Sequence, residues 1–268
     1  MRQPVVAGRF YPGERATLSS SVNELFPPAT PGKEKKKAVA IISPHAGYIY
    51  SGALAAETIS SIDVPETVII IGPNHHGQGA PIALSLEDWE MPGGIVYNNK
   101  ELSSLLLKNC PQLKDDVIAH KDEHSLEVQI PFLQALQKNL SIVPIAISRV
   151  SFSVCKEIAV ALAQSIEEFQ KDTLILASTD MNHYESRSTS NKKNEKALQA
   201  IRVMDPAELY QTVLDNRISM CGMIPVVISM IAAQLLGATS STVVGYTDSG
   251  YVSGDTDQVV GYAGVVIS

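Results

Sequence analysis

The sequence predicts an α/β protein: a single three-layer domain over residues 1–268, with a central mixed, largely parallel sheet and helices on both faces. Two observations carry this. Short, continuous, β-branched runs at 38–43, 67–71 and 173–178 have the pattern of strands covered on both sides. Segments with helical apolar spacing alternate with them, and such alternation builds a sheet layered between helices. With 268 residues, 45% hydrophobic and 18% charged, the chain can bury one large core.

The elements come in order along the chain. Residues 2–12 read as an irregular opening anchored by Phe10 and Tyr11. Apolar residues at 18, 22, 25 and 26 predict a helix over 16–26, which Pro27 and Pro28 end. A polar loop leads to the basic run 33–37, broken by Glu34 and read as a solvated connector. The strand 38–43 runs straight into Pro44, His45, Ala46, Gly47 and Tyr48, and an Ala-rich helix is expected over 52–62. The pattern repeats at 67–71, which ends in Gly72-Pro73-Asn74-His75-His76-Gly77.

Residues 82–86 form a candidate strand, and 89–97 a loop or short hairpin. Helices are expected over 100–109 and 123–138, the second either kinked at Pro131 or helical only from there. A strand at 141–147, a helix at 154–170 and a strand at 173–178 come next, the last ending in Thr179-Asp180-Met181-Asn182-His183-Tyr184. Helices over 194–204, 206–213 and 225–235 succeed them, the third just after Cys221-Gly222. Strands 242–246 and 258–267 lie close in sequence and are expected to be antiparallel, which makes the sheet mixed.

Composition excludes several classes. A net charge of −7 argues against nucleic-acid binding, which requires phosphate-neutralising Lys and Arg. Cys110, Cys155 and Cys221 are far apart and form no CxxC pair, so a reducing cytoplasmic location is expected rather than a disulfide framework. The first ten residues lack the apolar core of a signal peptide. The longest apolar stretches, such as 226–236, fall short of the ~20 residues of a membrane span, so no membrane association is expected.

Ligands of open α/β sheets bind beyond the carboxyl ends of the strands. Three strands end there in clusters that each hold a histidine, in a chain with only 6. His45 could simply cap a strand end, but Pro44 fixes its approach and Gly47 lets the backbone turn beside the ring. Of the adjacent pair, His75 is the better ligand candidate and His76 a wall residue. Neutral imidazoles suit iron, zinc and copper. Asp180 and His183 read either as a helix cap and its neighbour or as a carboxylate and imidazole for proton transfer.

A fourth cluster holds Glu123, His124 and Glu127; its plain reading is a solvated helix start, with the two carboxylates four apart on one face. His120 reads as surface, and Cys221 as a small core residue. No GxSxG elbow, HExxH, GxGxxG or P-loop is present.

Taken in order, residues 5–12 (VVAGRFYP), PHAGYIYSG at 44–52, GPNHHG at 72–77, DEHSLEVQIPFL at 122–133, STDMNHY at 178–184 and Cys221-Gly222 resemble the Memo family over essentially the whole chain. The resemblance implies a fold similar to the class III extradiol ring-cleaving dioxygenases, which use non-haem iron. It makes His45 and His75 metal histidines and His183 the acid/base, with Asp180 and His124 as further catalytic candidates. Tyr48, Tyr50, His76 and Glu123 become substrate-binding candidates.

The resemblance also implies a third ligand, which in eukaryotic members is a cysteine in the loop before the last strand. Here that loop, 246–255, has no cysteine. Asp248 is therefore the candidate metal ligand, with Asp255 or water as substitutes. The expected function is an iron-type, dioxygenase-like oxidoreductase, with zinc or no metal as alternatives. A rival reading is a metal-free module for a small anionic or phosphopeptide-like ligand, since eukaryotic relatives are linked to phosphotyrosine-peptide binding. Another is a helper of a radical enzyme, because microbial relatives resemble a trio with AMMECR-type and radical-SAM proteins.

Overall fold

The computed structural model describes residues 1–28 and 35–268; part of the basic run, Lys33 and Glu34, lies outside them. The first helix is α1 (Arg15–Leu25). Strand β1 (Ala40–Ser43) leads into a single π-turn over Tyr48–Gly52 and then α2 (Ala53–Ser60). Next come β2 (Thr67–Pro73), β3 (Ile82–Leu84), β4 (Tyr97–Asn98), α3 (Lys100–Asn109) and β5 (Lys114–Asp115). A 3₁₀ turn over Glu127–Gln129 opens α4 (Ile130–Leu136), followed by β6 (Ser141–Ile147), α5 (Phe152–Phe169), β7 (Thr173–Ser178) and β8 (His183–Glu185). The chain closes with α6 (Arg187–Arg202), α7 (Pro206–Asp215), α8 (Met223–Leu235), β9 (Ser241–Asp248), α9 (Gly250–Ser253) and β10 (Val259–Ile267).

The strands form one ten-stranded sheet in the order β5-β3-β6-β2-β7-β1-β10-β8, with β4 on β6 and β9 on β10. Its centre is parallel: β6, β2, β7 and β1 run side by side in one direction. The antiparallel β10 joins β1, and β9 pairs antiparallel with it, so the mixed, helix-flanked α/β sheet matches the expectation.

Burial obeys the two-residue repeat of a strand. Ile69 and Ile71 point into the core under α3, α5 and α8, while Val68 and Ile70 point into the one under α1, α2 and α4. All four side chains are buried completely, and each contributes ~1.5–3 kcal/mol by leaving water. No described helix is long and apolar enough to cross a membrane.

One element departs from its pattern in a way that matters for the site. The helix expected over 123–138 is helical only from the 3₁₀ turn onward, because Pro131 has no amide hydrogen to give to a preceding turn and suits a first-turn position. Residues Glu123 and His124 are thus free of helix geometry. The segment 89–97 is the short hairpin, closed by reciprocal bonds of 2.9 Å between Trp89 and Val96.

Candidate metal centre

Strands β2, β7 and β1 are neighbours and parallel, so their carboxyl ends meet at one edge. That brings together the loops carrying His75, Asp180 and His45. The imidazoles of His45 and His75 meet edge to face with centroids 5.2 Å apart, and His124 lies 5.5 Å from His45. His124 also stacks on His75 at 4.7 Å.

The third partner comes from elsewhere. Cys221, in the turn between α7 and α8, puts Sγ 3.3 Å from His45 Nε2. Gly222 makes this approach feasible, because a Cβ there would sit 2.4 Å from the Ser178 carbonyl oxygen. The Gly222 amide then donates to Thr179 Oγ1 at 2.9 Å, pinning the turn to the end of β7. Among the described residues, His45, His75 and Cys221 offer ligand atoms within 4.8 Å of one another.

Two residues lie elsewhere than expected. Cys221 is half-buried beside His45 rather than in the core. The Asp248 carboxylate is buried and bound in a fork by Arg187, at 2.8 Å to Nε and 2.7 Å to Nη2, and it accepts the Gly250 amide. Among the described residues, Asp248 belongs to no group of three or more ligand atoms close enough to share an ion.

Hydrogen bonds fix which nitrogen each histidine presents. The Ser178 hydroxyl gives its one proton to the Ser125 carbonyl at 2.6 Å, so it accepts from its other partners. Those are Gln129 Nε2 at 3.0 Å and His45 Nδ1 at 2.9 Å. His45 therefore carries its proton on Nδ1 and turns the Nε2 lone pair toward Cys221. For His75, Nδ1 donates to Glu123 Oε1 at 2.9 Å and the backbone amide to Oε2 at 2.7 Å, leaving the Nε2 lone pair free. An orienting partner behind each imidazole is the usual arrangement around a bound metal.

A second close group, His75, Glu123 and His124, is accounted for by this hydrogen bond. Glu123 is fully buried, and burial works to raise its pKa. The bonds from His75 and the Ser125 amide outweigh that and hold the carboxyl well below the usual range, so it stays ionised. Neither Glu123 nor Glu127 is a solvated helix start. Glu127, also fully buried, accepts from Arg2 at 2.7 Å, from Tyr11 at 2.7 Å and from the Val5 and Val6 amides. These bonds tie the opening segment to the site, where the Phe10 ring lies 4.9 Å from His124.

Burial governs the remaining charges. It lowers His45 well below its ordinary value and brings His124 down to about 4. It raises Asp180 to about 7, against the bonds this carboxylate accepts from the His45 and Ala46 amides. The Cys221 thiol is likewise pushed up by burial and by nearby Asp180. His183 donates through Nδ1 to the Ser219 carbonyl at 2.8 Å, and burial lowers its pKa.

Other candidates fall differently. Tyr48 is a buried residue, stacked on Phe132 at 4.5 Å with its hydroxyl on the Val128 carbonyl. Glu123 is fully buried and bonded to His75. Tyr50 and His76 are exposed. His120 is 1% exposed, against the expected surface position, and packs on Trp89. Cys221, Ser178 and Gln129 lie in motifs that the sequence singled out, but no local pattern assigned them a role, because their partners are remote in the chain.

A family model described as Memo-like protein matches residues 2–266. A MEMO1 family protein of Aquifex aeolicus is 42% identical over 270 residues, covering 99% of this chain and 98% of that relative. A MEMO1 family protein of Thermotoga maritima is 40% identical over 282 residues, covering 99% of each chain. The solved structure of an uncharacterized protein, JW3007, from Escherichia coli K12 shares the fold at a TM-score of 0.56, with 14% identity over 86% of this chain and 100% of that one.

Proposed function

The chain belongs to the Memo family, and from that premise we propose that it is a metal-dependent protein in which His45, His75 and Cys221 hold an iron-type cation for redox or dioxygenase-like chemistry. The observation that carries this is the convergence of two imidazoles and a thiol whose outer atoms are already committed to Ser178 and Glu123. Two nitrogens and one sulfur suit iron, copper or zinc. Bound there, iron supplies a Lewis-acidic, redox-active centre for a small substrate.

The other residues have separable tasks. His183, with Nδ1 held by Ser219, keeps Nε2 free to take or give a proton. Asp180, held 3.9 Å from His45 Nε2 and titrating near neutrality, is a second proton carrier. His124 and Phe10 wall the site and limit water, and Tyr50 and His76 stand where an incoming substrate passes. A metal-free anion site has weaker support, because burial keeps His45 and His124 neutral and leaves the pocket without fixed positive charge.

The test is metal analysis of protein purified anaerobically, beside His45→Ala/His75→Ala and Cys221→Ala. About one iron per chain, lost in both variants, is the expected result. No bound metal in the wild type, even after iron(II) is added, would overturn the reading.

A further inference from the structure

A cavity of about 430 Å³ lies between α7, α8 and the residues just past β6, a volume typical of small-molecule sites. It touches the proposed metal centre only through Ser219 and Cys221, at one end of its wall. Met220, Met223, Ile224 and Leu214 form apolar walls, and Leu214 is 46% exposed there. Thioether side chains adapt to varied apolar shapes. Arg149 and Arg217 line the same cavity, and none of its lining residues is acidic.

In a chain of net charge −7, the cavity wall thus carries two positive charges and no negative one. Among the described residues, the ion-paired arginines are Arg2, Arg187 and Arg202, so Arg149 and Arg217 have no carboxylate partner. The Arg217 backbone is anchored, since Lys193 bonds its carbonyl at 3.2 Å and Ile218 donates back to Val213 at 2.9 Å. A guanidinium recognises a carboxylate through paired N–H donors.

We propose that this cavity binds a small organic carboxylate, its apolar body against Met220, Met223 and Ile224 and its charge on Arg149 and Arg217. The occupant would rest on the segment that supplies Cys221 and Ser219, which also line the cavity. The contacts that define the occupant, with Arg149, Arg217 and the apolar wall, do not depend on whether Cys221 holds a metal.

Octanoate serves as the probe, titrated into the full chain before and after chelation, with calorimetry and methionine-methyl NMR as readouts. The Met220 and Met223 methyls should move while that of buried Met91 stays fixed. Octanol, with the same body and no charge, should bind about tenfold more weakly, and inorganic phosphate should leave the methyls unmoved. The Arg149→Ser/Arg217→Ser variant should lose about tenfold in octanoate affinity; both residues are exposed, so the core is untouched. Unmoved methyls at millimolar octanoate, equal affinity in the variant, or octanol binding as well as octanoate would overturn the proposal. Should the variant fail to fold, the octanoate and octanol contrast on the wild type decides alone.

Discussion

Cys221 Sγ lies 3.3 Å from His45 Nε2, although 176 residues separate the two. This contact sets a thiol beside the two histidines, and on the proposed reading Cys221 rather than Asp248 is the third ligand. Cys221→Ala should therefore abolish stoichiometric iron binding, while Asp248→Asn should leave it unchanged. Metal content per chain after equilibration with iron(II) separates the two, and iron loss in Asp248→Asn alone would reverse the assignment.

Ser178 and Glu123 each fix one imidazole from behind. Removing such a partner lowers metal affinity by ~10–100-fold in comparable sites. Ser178→Ala and Glu123→Gln should both weaken binding in this range in a competition titration against a chelator. Unchanged affinity in both would mean that the hydrogen bonds do not set the ligand geometry.

Arg2 and Glu127 form a buried ion pair at 2.7 Å, with side chains 4% and 0% exposed. Arg2→Ala leaves an uncompensated buried carboxylate and should cost ~3–5 kcal/mol in urea unfolding. Glu127 keeps its bonds from Tyr11 and the Val5 and Val6 amides, which places the loss at the lower end. A change under ~1 kcal/mol would show that the opening segment does not depend on this pair.

His120 supplies a pH effect. Burial lowers it from 6.5 to about 4, with Arg2 lowering it further and Glu123 and Asp116 opposing. Between those values the unfolded chain binds a proton that the folded chain refuses. Stability should therefore fall as pH drops from about 6.5 toward about 4, by at most ~3 kcal/mol from this residue, with no contribution above 6.5. His120→Gln should flatten that part of the stability profile measured by denaturant titration. The same slope in variant and wild type would place the acid sensitivity on other titrating groups.

Much of the site was legible because its first half is local. A buried parallel strand reads as an unbroken apolar run, and the residues immediately after it lie at the carboxyl edge of the sheet. His45, His75 and Asp180 sit two residues beyond β1, β2 and β7, so finding the strands found the histidines. The run Glu123–Glu127 was misread because its carboxylates carry the spacing of a solvated helix, while their partners Arg2, Tyr11 and His75 lie far off in the chain.

By itself, then, the sequence determined the α/β layering, the parallel centre and the three loops that bear His45, His75, Asp180 and His183. These arise from periodicity and short-range chain geometry. Only the tertiary structure decided that Cys221 meets His45, that Asp248 is spent on Arg187, and that Glu123 holds His75. Those outcomes depend on close approach between distant segments, as where Gly222 lets its turn press on the end of β7, and such contacts leave no periodic trace along the chain.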